Sequence, residues 1–320
     1  MEIVQGIHRI PCIFDGSRVM FVHLLVGTKK IMLVDTCLAH NPEQEIFPYM
    51  QQLGLQPSQI NYVVISHSDS DHEGGNRIVK DHAPNAIFMC HKLDRPWIED
   101  VVALVEGRYK QFDLPHGMNT PDSFVEQMYQ DVKTCSMDMT LEGGEQIWLS
   151  EDWYVEVLHT PGHTWGHLSI YDPRSHALVA GEAALWNAIL DKDWQPCMAP
   201  TYCYADTYLS TIQRLLAMNL DVYSPSHWPL QQGKEVHDFL YESRNYCLRV
   251  EEELLKLSQR TNSFTMLQAI EELCALLGTW NPAANNAMAY PLNANIARLV
   301  QRGQLKQSHN EYGHIVWSRA

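Results

Sequence analysis

The sequence predicts an α/β protein with a small, mainly helical C-terminal domain. Three features carry that prediction. Short β-branched and apolar runs bounded by turn residues alternate with helical periods up to about residue 232. After Gly233 the strand-like runs give way to three helical periods and a terminal hairpin pattern. Between them, the apolar run Tyr62-Val63-Val64-Ile65 leads directly into Ser66-His67-Ser68-Asp69-Ser70-Asp71-His72-Glu73-Gly74-Gly75, a buried strand that ends in charged groups.

The elements follow in order. Residues 6–14 alternate loosely, and 19–26 and 31–34 are apolar runs separated by Gly27-Thr28-Lys29-Lys30, a hairpin pattern closed by Asp35-Thr36. Ile46, Tyr49, Met50 and Leu53 fall at helical spacing, predicting a helix over 42–53. A strand at 62–65 precedes the charged cluster. Gly74-Gly75 is read as a tight turn into a helix from Asn76 to about His82, followed by a strand at 86–90. Residues from about 95 to 140 read as a helical insertion, with helices at 97–109 and 123–132, a loop at 115–121, and Asp122 or Ser123 as N-cap. Strands are expected at 146–149, 154–158, 168–171, 177–180 and 222–224, with a helix at 206–218. Helices at 235–257, 264–277 and 287–302 and a hairpin over 304–318 complete the chain. The domain reading is therefore 1–232 as a catalytic unit and 233–320 as a winged-helix-like unit, taken as a packing domain in preference to a nucleic-acid reader.

Composition narrows the function. The chain has 320 residues with 45% hydrophobic content, enough for a sizeable core. No run approaches the ~18 apolar residues of a membrane span, and the start, Met1-Glu2-Ile3-Val4, lacks the basic-then-apolar order of a secretory signal. Eight cysteines without a C-x-x-C pair argue against a disulfide framework, so the expectation is a reduced, cytoplasmic protein with no membrane partner. Lys/Arg and Asp/Glu balance at nine each between Lys234 and Arg319, so the net charge of -15 falls on the rest of the chain. Such a surface repels phosphate backbones, so no nucleic-acid partner is expected and a small neutral or cationic substrate is favoured.

The chemistry concentrates in four blocks. His67, Asp69, Asp71 and His72 lie within six positions, and unpaired charges cost several kcal/mol to bury, so such a cluster surrounds a metal or a wet cleft. The other blocks are His159-Thr160-Pro161-Gly162-His163-Thr164-Trp165-Gly166-His167, Ala180-Gly181-Glu182-Ala183 and Ser224-Pro225-Ser226-His227-Trp228. Together with the strand end Leu33-Val34-Asp35-Thr36, their order resembles the metallo-β-lactamase superfamily over roughly residues 3–232. Two positions depart from the family pattern. Asp69 stands where most members carry histidine, and Glu182 where most carry aspartate.

The resemblance implies an αββα sandwich with a metal site on loops at one edge. It implies that His67, Asp69 and His163 bind a first ion, that Asp71, His72 and His227 bind a second, and that Glu182 bridges them. Imidazole and carboxylate donors suit zinc, iron and manganese, and seven ligands are too many for one tetrahedral zinc. The expected cofactors are two divalent ions, zinc first, with the harder Asp69 and Glu182 oxygens moving the preference towards iron or manganese. The implied activity is a dinuclear hydrolase of a small carbonyl ester, thioester, lactone or amide, using a metal-bridging hydroxide. Asp71, between the two sites, is the candidate catalytic residue that orients the water or shuttles its proton. Tyr202 and Tyr223 are candidate oxyanion donors. The alternative is a di-iron oxidoreductase or oxygen-binding protein of the flavodiiron type, motivated by Asp69 and lacking a flavodoxin segment. The insertion and appendage offer surfaces for a homodimer.

Most of the 16 histidines need no metal. His8, His23, His40, His82, His91 and His176 are read as surface or satisfied polar groups. His159 and His167 are expected to hydrogen-bond within their loop, and Asp35 to anchor a ligand histidine from behind. Trp165, Trp186, Trp228 and Tyr204 are read as cleft aromatics or as core.

Overall fold

The computed structural model describes residues 1–14 and 16–320. The apolar runs are continuous because the strands are covered on both faces. β1 (Glu2–Val4), β2 (Ile7–Phe14), β3 (Arg18–Val26), β4 (Ile31–Val34), β5 (Ile60–Ile65), β6 (Ile87–His91) and β7 (Met139–Leu141) form one sheet in that spatial order. It is antiparallel up to β4 and parallel from β4 to β7. β8 (Gln146–Trp148), β9 (Tyr154–His159), β10 (Leu168–Asp172) and β11 (Ala177–Gly181) belong to the second sheet. A small hairpin, β12 (Ile189–Leu190) and β13 (Pro196–Met198), stands apart. β14 (Val222–Pro225) and β15 (Gln231–Gln232) complete the second sheet, in the order β15-β14-β11-β10-β9-β8.

Period-two sorting builds the layers. Along β4, Met32 and Val34 face the second sheet and pack with Val155, Val157, Leu168 and Ile170. Their neighbours Ile31 and Leu33 face outward, into the cluster that holds Ile46, Met50 and Val79 of the covering helices. On β11, Val179 points between the sheets while Leu178 and Ala180 point to the other outer layer. The result is the αββα sandwich.

The C-terminal region continues that outer layer. Helices Lys234–Arg260, Met266–Leu277 and Ala289–Gln301 follow in sequence. β16 (Phe264–Thr265), β17 (Leu305–His309) and β18 (Ile315–Arg319) form a three-stranded sheet in the order β16-β18-β17. Tyr246, Val250, Leu273 and Leu292 share one buried cluster with Leu178, Tyr202 and Tyr208 of the sandwich. The Asn295 amide also donates to the Tyr202 hydroxyl at 2.8 Å.

Several local expectations change. Gly74 and Gly75 have ordinary φ values of -59° and -86°. What the site needs is the absence of a Cβ, which at Gly75 would stand 2.5 Å from the Thr36 carbonyl oxygen. The insertion helix spans Asp122–Asp131 with Pro121 as its N-cap, so Asp122 and Ser123 lie inside the first turn. The expected loop at 115–121 overlaps a helical turn, Asp113–His116. Residues 139–141, read as the end of the insertion, pair instead with β6. The β12–β13 hairpin leaves no mark in the sequence pattern, because two- and three-residue strands carry no readable period.

Candidate metal centre

The site stands where loops leave the strand ends. β5 ends at Ile65, a four-residue loop follows, and then a single helical turn, Ser70–Glu73. That turn brings Asp71 and His72 beside His227, which follows β14. His163 follows β9, and Glu182 follows Gly181 at the end of β11. The structure gathers the seven predicted residues into two neighbouring groups. His67, Asp69, His163 and Glu182 form one, and Asp71, His72 and His227 the other, each with donor atoms within 4.8 Å of one another.

Glu182 faces both groups. Its Oε2 lies 2.7 Å from His163 Nε2 and 3.1 Å from His67 Nε2, while its Oε1 lies 3.3 Å from His227 Nε2. Asp69 Oδ2 is 3.0 Å from His163 Nε2, and Asp71 Oδ2 is 3.3 Å from His227 Nε2.

The four imidazoles share one arrangement. Each engages Nδ1 behind the site: His72 with Asp35 Oδ2 at 2.8 Å, His163 with the Thr201 carbonyl at 3.0 Å, His227 with the Val19 carbonyl at 2.9 Å, and His67 with Ser66 Oγ at 2.9 Å. This leaves Nε2 of every ring for the centre. The Nε2 atom of His72 is buried with no hydrogen-bond partner, and that of His67 is buried with the Glu182 carboxylate near it, at 3.1 Å. Buried polar nitrogens are ordinarily satisfied, and four Nε2 atoms with three carboxylates are the donor chemistry of a divalent-ion site. The residues present therefore fit bound divalent ions.

Asp35 organises the back of the site. It adopts φ 65°, a left-handed backbone that favours glycine. In that pose its Oδ1 accepts from the Ser66 backbone N–H at 2.7 Å and its Oδ2 from Ser66 Oγ at 2.8 Å, besides binding His72. Asp35→Asn is expected to weaken metal affinity by ~10–100-fold, the usual cost of losing a residue that orients a ligand histidine. Competition with a chelating dye measures it, and unchanged affinity would contradict the anchoring role.

The electrostatics set the proton inventory of the ion-free chain. Burial lowers His72 and His163, but Asp35 lifts His72 to about 10, and Glu182 with Asp69 lifts His163 to about 9. Burial pushes His67 down to about 4. Burial would raise Asp71, yet the hydrogen bond to His227 and the charge of His72 hold it at about 2. His72 and His163 thus carry protons at neutral pH, and an ion that takes their Nε2 displaces them. Calorimetry at pH 7 in buffers of different ionisation enthalpy is expected to show about two protons released as both ions bind. Affinity should tighten as pH rises towards about 9, since the competing protons leave. Binding with no proton release would contradict these assignments.

Arg108 joins the site from outside the four sequence blocks. Its guanidinium grips Asp69 with Nε–Oδ1 at 2.8 Å and Nη2–Oδ2 at 3.0 Å. It also touches Cys203 Sγ and lies over the Tyr290 ring, 4.7 Å from the centroid. Burial raises the Asp69 carboxyl, but Arg108 and His163 outweigh it and hold Asp69 well below the usual carboxylate range. An aspartate in place of a neutral imidazole brings a negative charge into the interior, and Arg108 supplies the counter-charge. Nothing in the sequence around Arg108 distinguishes it from a solvated helix residue.

Other expectations separate. His167 accepts from the Glu182 backbone N–H at 2.9 Å through Nε2 and pairs Nδ1 with Thr160 Oγ1, while His159 Nε2 meets the Trp165 carbonyl. His8, His23, His82 and His176 each have a hydrogen-bond partner, and the His91 ring stacks on His159. His40 lines a cavity at the site. Tyr202, Tyr223 and Trp228 are packed in the core, and Trp165 stacks on Tyr204, so none of these forms its wall. The two tyrosines that do, Tyr109 and Tyr290, spend their hydroxyls on Ser70 Oγ and the Arg108 carbonyl. A tyrosine-held oxyanion therefore has no support in this geometry.

A family model described as the metallo-beta-lactamase superfamily matches residues 18–227. The chain is similar to two Bacillus subtilis (strain 168) proteins, the probable metallo-hydrolases YqjP and YflN, at 23% and 21% identity over 190 residues each. These alignments take in 56% and 58% of this chain and 57% and 66% of those proteins, so the chain spans less than two thirds of the curated relatives it matches. Among solved structures, a metallo-beta-lactamase family protein from Thermus thermophilus superposes with TM-score 0.78 at 20% identity, covering 99% of both chains. A beta-lactamase domain protein from Burkholderia ambifaria gives TM-score 0.77 at 15% identity, covering 100% of this chain and 94% of that one. At these identities the solved structures show the fold, which here includes the helical C-terminal region.

Proposed function

The chain belongs to the metallo-beta-lactamase superfamily, and from that premise we propose that it is a metal-dependent hydrolase holding two divalent ions. Its substrate is a small molecule with a carbonyl ester, thioester, lactone or amide. The observation that carries this reading is Glu182, whose two oxygens each face one donor group.

Divalent ions held there would supply a water of lowered pKa, from 15.7 towards ~7, and polarisation of a carbonyl oxygen. The chain's own residues supply the rest. His67, Asp69 and His163 would hold the first ion and Asp71, His72 and His227 the second, with the Glu182 carboxylate placed to serve both groups. Asp71 lines the cavity and is anionic at neutral pH. It is the group suited to orient the attacking water and to take up its proton. Arg108 is committed to Asp69 and does not offer its guanidinium to the substrate. We take 1–232 as the catalytic unit and 233–320 as a unit that packs on it.

The test is metal analysis of protein purified without added metal, with an optical spectrum and a panel of carbonyl esters, lactones and amides. Two zincs with turnover are expected. Two irons with a visible charge-transfer band and no turnover would overturn the hydrolase reading in favour of di-iron redox chemistry.

A further inference from the structure

The cavity over the donor groups has a volume of about 800 Å³, and Asp69, Asp71, Glu182 and His227 form part of its wall. Ligand pockets for drug-sized molecules run ~300–1,000 Å³, so this one far exceeds what a bare ester or lactam ring fills. Its remaining wall is largely apolar, and most of the apolar side chains come from three separated parts of the chain. Phe112, Met118, Phe124 and Met128 come from the segment before β7, Ile189 from the β12–β13 hairpin, and Tyr290 from the last helix. Phe112 and Tyr290 meet edge to face at 5.0 Å, and Tyr109 and Phe124 at 5.4 Å, so the wall is built from paired rings. Phe124 is 37% exposed and Met118 only half-buried, which leaves apolar surface facing the cavity. The methionines give it unbranched, adaptable side chains.

Apart from His40, the charged side chains around this wall are already engaged. Asp113 accepts from the Thr120 backbone N–H and Oγ1, Asp131 accepts from Gln127, and Arg108 is held by Asp69. Arg18 lies over the Phe14 ring. Among the described residues, the wall therefore presents no free guanidinium pair to seat a phosphate or carboxylate bidentately. At the ~30 Å³ that liquid water takes per molecule, a chain of about twelve heavy atoms fills less than half of the space.

We propose that the substrate is a neutral ester, thioester or lactone whose acyl group is an apolar chain of about six to twelve carbons, seated against Phe112, Met118, Phe124 and Tyr290 with its carbonyl at the donor groups. This rests on the hydrolase reading and deepens it. Each buried methylene strengthens association a few-fold, so preference grows with chain length across this range.

Two readouts test it on the full chain. With metal-loaded protein, kcat/KM for p-nitrophenyl esters is expected to rise on the order of a thousandfold from acetyl to octanoyl. Phe124→Asp and Met118→Asp are each expected to cut that ratio about tenfold. With metal-stripped protein, the neutral probe N-phenyl-1-naphthylamine should bind, be displaced by 1-decanol, and bind about tenfold more weakly in the same two variants. Ester turnover with a flat chain-length profile and unchanged probe binding would overturn the acyl-chain inference and leave the hydrolase reading standing. Probe binding lost in both variants, with no ester cleaved, would support the apolar seat and overturn the hydrolase reading.

Discussion

Glu182→Ala is expected to lose both ions and to lower activity by more than the ~100-fold that removing a ligand-orienting residue costs. The reason is positional. Glu182 Oε2 is the carboxylate oxygen shared by His67 and His163, and Oε1 is the one that reaches His227. Truncation removes an anionic donor from each group at once, so two ions would face each other across a gap with no shared charge. Glu182→Asp is the sharper variant. It moves the carboxylate back by about one carbon–carbon bond, ~1.5 Å. From there one group can be served but not both, so the expected product is a chain with one tight and one weak ion. Equilibrium dialysis with zinc, read by elemental analysis, distinguishes two, one and no ions per chain. Full retention of both ions in Glu182→Ala would show that the two groups do not depend on a common carboxylate.

The second large effect falls on the Asp69–Arg108 pair. Arg108→Met removes the guanidinium that holds both Asp69 oxygens and leaves a carboxylate in a largely buried position. Breaking a buried pair on one side costs ~3–5 kcal/mol, because the remaining charge is uncompensated. In the ion-free protein the melting temperature should fall accordingly. With metal bound, the ion supplies a positive neighbour for Asp69 and the loss should shrink. Asp69→His places the more usual imidazole of the family at this position, yet it strands Arg108 instead and should also destabilise. The double change Asp69→His with Arg108→Met is expected to recover stability, since each single change harms through the partner it leaves behind. Asp69→Ala should empty most of the first site while the second keeps its ion. Thermal melts of the four variants with and without zinc measure the cycle. Additive losses would show that the two residues are independent.

Much of this architecture was readable from residue order alone, and particular residues show why. Ile31-Met32-Leu33-Val34 and Tyr62-Val63-Val64-Ile65 are apolar without a break because each strand is covered on both sides, Met32 and Val34 by the second sheet and Ile31 and Leu33 by helices. At four residues the period alone does not separate strand from helix; the β-branched residues and the bounding turns decide it. The donors were readable because histidine and carboxylate crowd together where a buried strand ends, and burial without a cation would be costly. Arg108 was not readable, because its meaning lies in a contact made 39 positions away in sequence. The cavity wall was hidden for a similar reason. Phe112, Phe124 and Tyr290 look like ordinary core aromatics until the fold brings three segments around one space, whereas Tyr202 and Trp228, closer to the motifs in sequence, pack in the core. The paired glycines misled in a different way. Their role is close approach to the Thr36 and Asp131 carbonyls, which no φ preference reveals.

The most direct test of the central claim is a crystal grown with zinc, with anomalous scattering recorded on both sides of the metal edge. Two peaks are predicted, one among His67, Asp69 and His163 and one among Asp71, His72 and His227, with the Glu182 carboxylate between them. A map with no anomalous peak at these side chains, or with peaks only at surface histidines, would contradict it.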